Sequence, residues 1–266
     1  MKFLLIAAVV GYLGVTALVW LAQESLLFYP QAAAARPVAP PGWRLEDVAL
    51  RTRDGKQLAG VLALPPAARP GLVIYFGGNA QEVTSFAPSV HAAYGERAVL
   101  LVNYRGYGAS EGRPGETALV GDGLEIFDWA ARRADIDPAR IALHGVSLGG
   151  GVAVQVAAAR PARCVVLTSP FASALDIARE MYWWLPVAWL LRHPFDSAAR
   201  APALRMPALV LTGSADTLIP PRHSERLASL WGGPVERVSF EGFGHNDIDL
   251  NPRYAVTIRE FLDRCA

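Results

Sequence analysis

The chain has 266 residues, of which 52% are hydrophobic and 18% are charged, and its formal net charge at pH 7 is +1. This balance excludes the strong electrostatic field that nucleic acids or acidic substrates require, so we expect no nucleic-acid partner. Lysine occurs only at Lys2 and Lys56, and neither follows a glycine-rich turn, which excludes a Gly-x-x-x-x-Gly-Lys phosphate loop. The length predicts one domain of about 240 residues with an appendage.

The appendage is the uncharged segment at residues 3–22, which contains Trp20 near its end. A helix of this length spans about 30 Å, the thickness of a bilayer's hydrocarbon core. A cleaved signal peptide is the alternative, but its apolar region is typically about 7–15 residues and small residues follow closely. We therefore predict a transmembrane anchor at 1–24. Lys2 at its start favours a cytoplasmic N-terminus, with the rest of the chain on the extracytoplasmic side.

Residues 25–44 contain several prolines and an alanine cluster, which predicts a linker or an extended arm. One domain is predicted over 45–266, where short apolar runs alternate with helical patterns. The predicted strands lie at 46–52, 57–64, 72–76, 98–102, 141–143, 164–167, 208–212 and 235–240. The predicted helices lie at 82–94, 116–134, 221–230 and 252–262, with another after Ser147. This alternation predicts an α/β fold with a mostly parallel central sheet and helices on both faces.

The stretch Gly145-Val146-Ser147-Leu148-Gly149 joins a predicted strand to a predicted helix and fits the pattern Gly-x-Ser-x-Gly. A strand that turns sharply into a helix strains the serine, and larger residues two positions before and after it would collide. Gly145 and Gly149 remove this collision, so we predict that the Ser147 hydroxyl stands clear as a nucleophile. The alternative is a glycine-rich helix start with Ser147 as an ordinary N-cap.

Two further polar residues, Asp216 and His245, come just after predicted strands. Functional groups of open α/β sheets collect at the carboxyl ends of the strands, so we expect Ser147, Asp216 and His245 to meet there. A serine hydroxyl needs a base to take its proton, and an imidazole base needs a carboxylate to hold its tautomer. The chain order Ser, Asp, His is that of one particular serine-hydrolase architecture. Asp196 and Asp247 are rival acids that we discount, the second because it is too near His245 in sequence.

An oxyanion hole requires two backbone amides. Leu148, directly after the nucleophile, is predicted to supply one of them. The loop after the strand at 72–76 is predicted to supply the other, because Gly77 and Gly78 let the backbone approach closely. We assign this second amide to Asn79, with Gly78 as the alternative.

The remaining groups predict no metal and no cofactor. No His-Glu-x-x-His motif or cysteine pair of zinc-binding spacing is present. Cys164 and Cys265 are interpreted as a buried thiol and a tail thiol, with a disulfide between them as the alternative.

These motifs resemble those of the α/β-hydrolase fold, and within it those of the membrane-anchored Bem46-like and ABHD-type serine hydrolases. The matching pieces are Tyr75–Ala80, Asn103–Ser110, Gly145–Gly150, Gly213–Asp216 with Pro220, and Gly244–Asp247. An N-terminal hydrophobic segment is also usual in that family. One departure is Gly77, where many relatives have histidine, and it concerns the oxyanion loop. The resemblance implies hydrolysis of esters or thioesters, including removal of acyl groups from proteins in some relatives.

An insert at 171–199 lies between two core strands, where this fold commonly carries a lid over the site. Its segment at 181–191 is apolar and aromatic, but it is too short to span a membrane and is interrupted by Pro186. Two interpretations stay open. The insert is either a small helical cap that buries its aromatic side chains on the core, or an acyl-binding wall that touches the membrane surface.

The sequence thus predicts a membrane-anchored serine hydrolase that cleaves ester or thioester bonds through an acyl-enzyme intermediate. Ser147 attacks, His245 transfers the proton and Asp216 orients the imidazole. The expected substrate is a small or acylated molecule with an apolar acyl chain. The alternatives are a peptidase or an acyltransferase that uses the same three residues, and a non-catalytic scaffold protein that keeps the fold.

Overall fold

The computed structural model describes residues 1–33 and 35–265. A long helix, α1 (Lys2–Leu27), precedes the domain. The strands are β1 (Arg44–Arg51), β2 (Gln57–Leu64), β3 (Leu72–Phe76), β4 (Ala98–Val102), β5 (Ile141–Val146), β6 (Val165–Thr168), β7 (Ala208–Gly213) and β8 (Val235–Phe240). The other α-helices are α2 (Val90–Tyr94), α3 (Glu116–Ala131), α4 (Leu148–Ala157), α5 (Ala174–Met181), α6 (Val187–Leu190), α7 (Pro221–Leu230) and α8 (Tyr254–Cys265).

The strands form one sheet in the order β1-β2-β4-β3-β5-β6-β7-β8. β2 is antiparallel to both β1 and β4, and every neighbouring pair from β4 to β8 is parallel. The predicted α/β fold with a mostly parallel sheet is therefore confirmed. The strand order changes direction at β3, which has β4 on one side and β5 on the other. In such sheets the crevice at the carboxyl ends of the strands on either side of this reversal is where ligands bind.

The core lies on both faces of the sheet because successive strand residues point in opposite directions. In β3, Leu72 and Ile74 pack into the core beneath α3, α4 and α7, whereas Val73 and Tyr75 pack into the core beneath α2 and α8. All residues of β3 are buried. Burial of each such apolar side chain stabilises the fold by roughly 1.5–3 kcal/mol. Two buried faces explain why this strand is a continuous apolar run in the sequence.

One predicted helix differs in the structure. The region predicted as a helix at 82–94 begins as a 3₁₀ helix over Val83–Ser89, and only α2 is α-helical. Pro88 lies inside this region, and in an α-helix its ring would clash with the carbonyl four residues earlier, so α-helical winding begins only after it. The Glu82 side chain accepts the amides of Thr84 and Ser85 and caps the start.

Among the described residues, α1 is the one helix that is long and apolar enough to cross a membrane, with a mean hydropathy of 2.3 over its most apolar window. It continues three residues beyond the predicted anchor boundary. The chain after it packs on the domain, since Phe28 is buried and the Gly108 amide donates to the Gln31 carbonyl at 2.8 Å. The first part of the predicted arm is therefore attached to the domain surface.

The insert at 171–199 forms the two short helices α5 and α6, as expected of a small helical cap. It joins β6 to β7. The expectation that such a cap buries its aromatic side chains on the core is wrong for Trp183 and Trp189, which are exposed. Cys164 and Cys265 are both buried free thiols.

Candidate active site

Ser147 forms the turn between β5 and α4. Its backbone angles are φ 53° and ψ −117°, in the left-handed half of conformational space that a serine rarely adopts. Its amide donates to the Thr168 carbonyl at 2.8 Å, and its carbonyl accepts the Gly150 amide at 2.9 Å. Bonds on both sides therefore hold this strained turn in place.

The two glycines of the motif are required by close backbone contacts. A Cβ added at Gly149 would lie 2.1 Å from the carbonyl oxygen of Phe76. A Cβ added at Gly145 would lie 2.4 Å from the carbonyl oxygen of Gly149. Both distances are far shorter than any allowed contact, so only glycine fits. As a result α4 starts directly against the end of β3 and the first residue of the loop that follows it.

The three predicted triad residues meet at the carboxyl edge of the sheet. His245 Nε2 lies 3.0 Å from Ser147 Oγ, and His245 Nδ1 lies 2.7 Å from Asp216 Oδ2. An ionised carboxylate only accepts hydrogen bonds, so we assign the proton to Nδ1, which leaves Nε2 to accept from the hydroxyl. The side chains of His245 and Asp216 are only 10% and 2% exposed. Little water therefore competes for these two bonds.

The Asp216 carboxylate is fixed by the backbone that follows β7. Its Oδ1 atom accepts the amides of Leu218 at 3.0 Å and Ile219 at 2.8 Å. Burial by itself raises the pKa of Asp216, but the hydrogen bonds from His245 and Ile219 outweigh it and hold this pKa below its ordinary value. Asp216 therefore carries its charge beside the imidazole at neutral pH.

The loop after β3 lies next to the nucleophile, since a Cβ added at Gly78 would lie 3.8 Å from the Ser147 Cβ. The Gly78 amide donates to Gln81 Oε1 at 2.7 Å and is thereby occupied. Within the part of the chain that the structure describes, the amides of Asn79 and Leu148 have no acceptor. This pattern favours Asn79 over Gly78 as the second oxyanion donor.

Two residues that hold this loop were not identified from the sequence. The Tyr107 hydroxyl donates to the Asn79 carbonyl at 2.6 Å and accepts the Tyr29 amide at 3.1 Å. Gln81 Oε1 accepts the Tyr75 hydroxyl at 3.0 Å besides the amide already described. Contacts between distant segments leave no spacing pattern in the sequence, which is why neither residue was predicted.

The rival carboxylates lie elsewhere. Asp247 Oδ1 accepts the Gly244 amide at 2.6 Å, and Asp196 Oδ1 accepts the Ala199 amide at 3.0 Å. Each of them supports a turn of its own segment. Over residues 1–33 and 35–265, no group of three or more His, Cys, Asp and Glu side chains is arranged to hold a metal ion.

A second histidine, His144, lies under the site on β5 in a buried polar network. The Tyr94 hydroxyl lies 2.7 Å from its Nδ1, and the Thr168 hydroxyl lies 3.0 Å from its Nε2. Thr168 Oγ1 is in turn 2.9 Å from the Tyr254 hydroxyl. Burial lowers the pKa of His144 to about 3, because the charged ring would lose its hydration. His144 is therefore a neutral structural group.

This burial predicts a loss of stability in acid. The unfolded chain protonates His144 below its ordinary pKa of 6.5, whereas the folded chain does so only near 3. Between these values the unfolded state binds the extra proton, so this contribution to stability is complete above pH 6.5 and is lost as the pH falls towards 3. Between these two pKa values, His144 is expected to lower the free energy of unfolding by up to about 1.4 kcal/mol for each pH unit of acidification.

Denaturant unfolding at several pH values between 7 and 4 measures this slope. We expect His144→Gln to show a shallower dependence than the wild type. His91→Gln, which changes an exposed histidine on α2, is the matched control and should follow the wild type. Equal slopes for the wild type and His144→Gln would contradict the assignment.

Comparison with known proteins places these features in a family. A family model of X-Pro dipeptidyl-peptidases (S15 family) matches residues 74–189. The chain is 36% identical to the protein Rv2307c of Mycobacterium tuberculosis over 260 residues, 95% of this chain and 92% of that one.

It is 28% identical to the protein Bem46 of Schizosaccharomyces pombe over 256 residues, 90% of this chain and 85% of that one. The esterase Pf2001 of Pyrococcus furiosus has the same fold, with a TM-score of 0.70 at 21% identity over 89% of this chain and 98% of that one. The chain therefore belongs to the same family as Rv2307c and has the α/β-hydrolase fold, and its homologues include Bem46 and the α/β-hydrolase domain-containing protein WAV2 of Arabidopsis thaliana.

Proposed function

We propose that this α/β-hydrolase is a membrane-anchored serine hydrolase that cleaves ester or thioester bonds through an acyl-enzyme intermediate. The observation that carries the proposal is the position of His245, within hydrogen-bond distance of both Ser147 Oγ and Asp216 Oδ2. A base that contacts both a hydroxyl and an ionised carboxylate is the arrangement that activates a serine.

Each group has a defined task in this mechanism. Ser147 Oγ attacks the substrate carbonyl carbon while His245 Nε2 takes the hydroxyl proton. Asp216 stabilises the imidazolium that forms. The carbonyl oxygen becomes an oxyanion, which the amides of Leu148 and Asn79 bind. The imidazolium then donates its proton to the leaving alcohol or thiol, and a water molecule activated by His245 hydrolyses the acyl-enzyme and restores the Ser147 hydroxyl.

A fluorophosphonate probe tests this proposal because it reacts with activated serines. We expect the full chain in detergent to be labelled, with mass spectrometry placing the modification on Ser147. A scaffold protein that keeps only the fold would stay unlabelled. Labelling of another serine, or of none, would contradict the proposal.

The anchor is proposed at residues 3–22, within α1, with the hydrolase domain on the extracytoplasmic side. The length and hydropathy of α1 support the span, and Lys2 at its start supports the orientation. Protease added to sealed, right-side-out membrane vesicles should digest the domain. A domain protected until the vesicles are opened would contradict this orientation.

A peptidase is the second candidate function, because the family model that matches residues 74–189 describes X-Pro dipeptidyl-peptidases. Ser147, activated by His245 and Asp216, can also attack the carbonyl carbon of an amide. Comparison of an aminoacyl-prolyl p-nitroanilide with p-nitrophenyl esters distinguishes the two activities. Faster turnover of the anilide would favour the peptidase.

Among esters, we propose a preference for apolar acyl chains. The apolar cap insert supports this choice, and each buried methylene contributes about 0.8 kcal/mol to binding. In a panel of p-nitrophenyl esters, we expect kcat/KM to rise at least about tenfold from acetate to octanoate. Activity confined to acetate would contradict the preference.

A further inference from the structure

The middle of the cap insert exposes large apolar side chains to the surroundings of the protein. This cap segment, residues 181–191, contains no charged side chain. Trp183 is 82% exposed and Trp189 is 89% exposed, whereas Leu185 and Val187 are buried. The segment therefore attaches to the protein through aliphatic residues and directs tryptophans outwards. Contiguous exposed apolar surface of this kind marks an interaction site.

The cap segment is hydrogen-bonded to α1 near both of its ends. At one end, the Tyr12 hydroxyl donates to the Trp184 carbonyl at 3.0 Å. At the other end, Gln23 Nε2 donates to the Leu190 carbonyl at 3.2 Å, and Gln23 Oε1 accepts the Arg192 amide at 2.8 Å. These bonds tie the two ends of the segment to points eleven residues apart on α1, which corresponds to about 16 Å along the helix axis.

Charged groups lie at the end of this contact that is nearer to the C-terminus of α1. The Arg192 guanidinium lies over the Trp20 ring at 4.0 Å from its centroid, and it pairs with Glu24 at 3.3 Å. Tryptophan, arginine and glutamate at one level are typical of the membrane–water boundary. Tyr12 lies about 12 Å deeper than Trp20 along the helix axis, within the roughly 15 Å that one leaflet contributes to the hydrocarbon core.

The emerging end of α1 also contacts the active site. Asn79 Nδ2 donates to the Leu27 carbonyl at 3.1 Å, and the Tyr29 amide donates to the Asn79 carbonyl at 3.0 Å. The loop proposed to bind the oxyanion is therefore attached to the helix where the helix leaves the apolar region. The hydrolase site lies close to the boundary marked by Trp20 and Glu24.

We infer that the cap segment is embedded in the same leaflet as the C-terminal half of α1, with Trp183 and Trp189 among the lipid acyl chains. The inference rests on the anchor proposed above. The partner of this surface is the lipid bilayer itself. Three observations carry it: the segment is uncharged, its tryptophans are exposed, and it is bonded to a helix of membrane-spanning length, at Tyr12 and at Gln23.

Quenching of tryptophan fluorescence by brominated lipids tests the inference. The full chain and Trp183→Phe/Trp189→Phe are each reconstituted in phosphatidylcholine vesicles with and without bromine on the acyl chains. The emission lost through the double substitution reports on these two tryptophans alone. We expect bromine to reduce this difference at least twofold, because bromine quenches only tryptophans close to the acyl chains. Trp231→Phe, which removes a tryptophan buried in the core, is the control whose difference should not change.

An equal emission difference in both kinds of vesicle would place the cap segment in water and overturn the inference. Fluorophosphonate labelling of the same samples separates this outcome from failure of the proposed function. Labelling of Ser147 with unquenched tryptophans would support the proposed hydrolase and overturn the membrane contact of the cap segment. Quenched tryptophans without labelling would support the membrane contact and contradict the proposed hydrolase. Equal labelling of the wild type and the double variant also shows that the substitutions preserve the fold.

Discussion

Ser147→Ala is expected to lower kcat for ester hydrolysis by about 10⁴–10⁶-fold and to abolish fluorophosphonate labelling. The substitution removes the hydroxyl oxygen that His245 Nε2 contacts at 3.0 Å. The residual rate should come from the oxyanion amides and from substrate binding, which do not depend on the hydroxyl. Initial rates with p-nitrophenyl octanoate measure the effect.

The folded state should survive this substitution. Ser147 contributes its backbone bonds to the turn, and alanine retains both of them. Ser89→Ala, which removes an exposed serine hydroxyl from the 3₁₀ helix, is the matched control and should keep wild-type turnover. Turnover of Ser147→Ala within tenfold of the wild type, with an unchanged circular dichroism spectrum, would exclude Ser147 as the nucleophile.

Gly149→Ala is expected to destabilise the protein by about 3 kcal/mol or more, despite the higher helix propensity of alanine. The new Cβ would lie 2.1 Å from the Phe76 carbonyl and 2.5 Å from the Gly77 carbonyl. Both neighbours are backbone atoms, so relief requires α4 to move away from β3. That movement would also separate Leu148 from Asn79, so turnover should fall with stability.

Gly121→Ala is the matched control, because Gly121 also lies in a helix but has nothing within 4 Å of an added Cβ. Here we expect a gain of about 0.5–1 kcal/mol, the usual advantage of alanine over glycine in a helix. Denaturant unfolding in detergent measures both variants. Similar changes in the free energy of unfolding of the two variants would show that the close approach of α4 to β3 does not require a glycine at position 149.

Much of the fold was predictable because the strands of the sheet are local patterns. β3 and β4 were predicted with their observed bounds, since a strand buried on both faces is a continuous apolar run. At 82–94 the helical segment was predicted but its type was not, since Val83–Ser89, which contains Pro88, is a 3₁₀ helix and only Val90–Tyr94 is α-helical. Periodicity reports which face is buried, and it does not report whether each amide finds an acceptor.

In the candidate active site, too, the features with a local pattern were predictable and the contacts between distant residues were not. Ser147, Asp216 and His245 could be selected because each residue comes directly after a strand, and parallel strands end at one edge. Their bond distances depend on strand order and twist, which involve residues far apart in the chain. Tyr107 and Gln81 were missed for that reason, since each holds the oxyanion loop through a contact with no local signature.

By itself, the sequence determined the α/β class, the strained serine turn with its two glycines, and the presence of an apolar N-terminal helix. These features follow from local sterics and from the period of apolar residues, which neighbouring positions encode. Only the tertiary structure decided that α1 lies along the cap segment and ends at Asn79. Such contacts depend on how folded surfaces fit together, and the Tyr12–Trp184 bond joins residues 172 positions apart that share no local pattern.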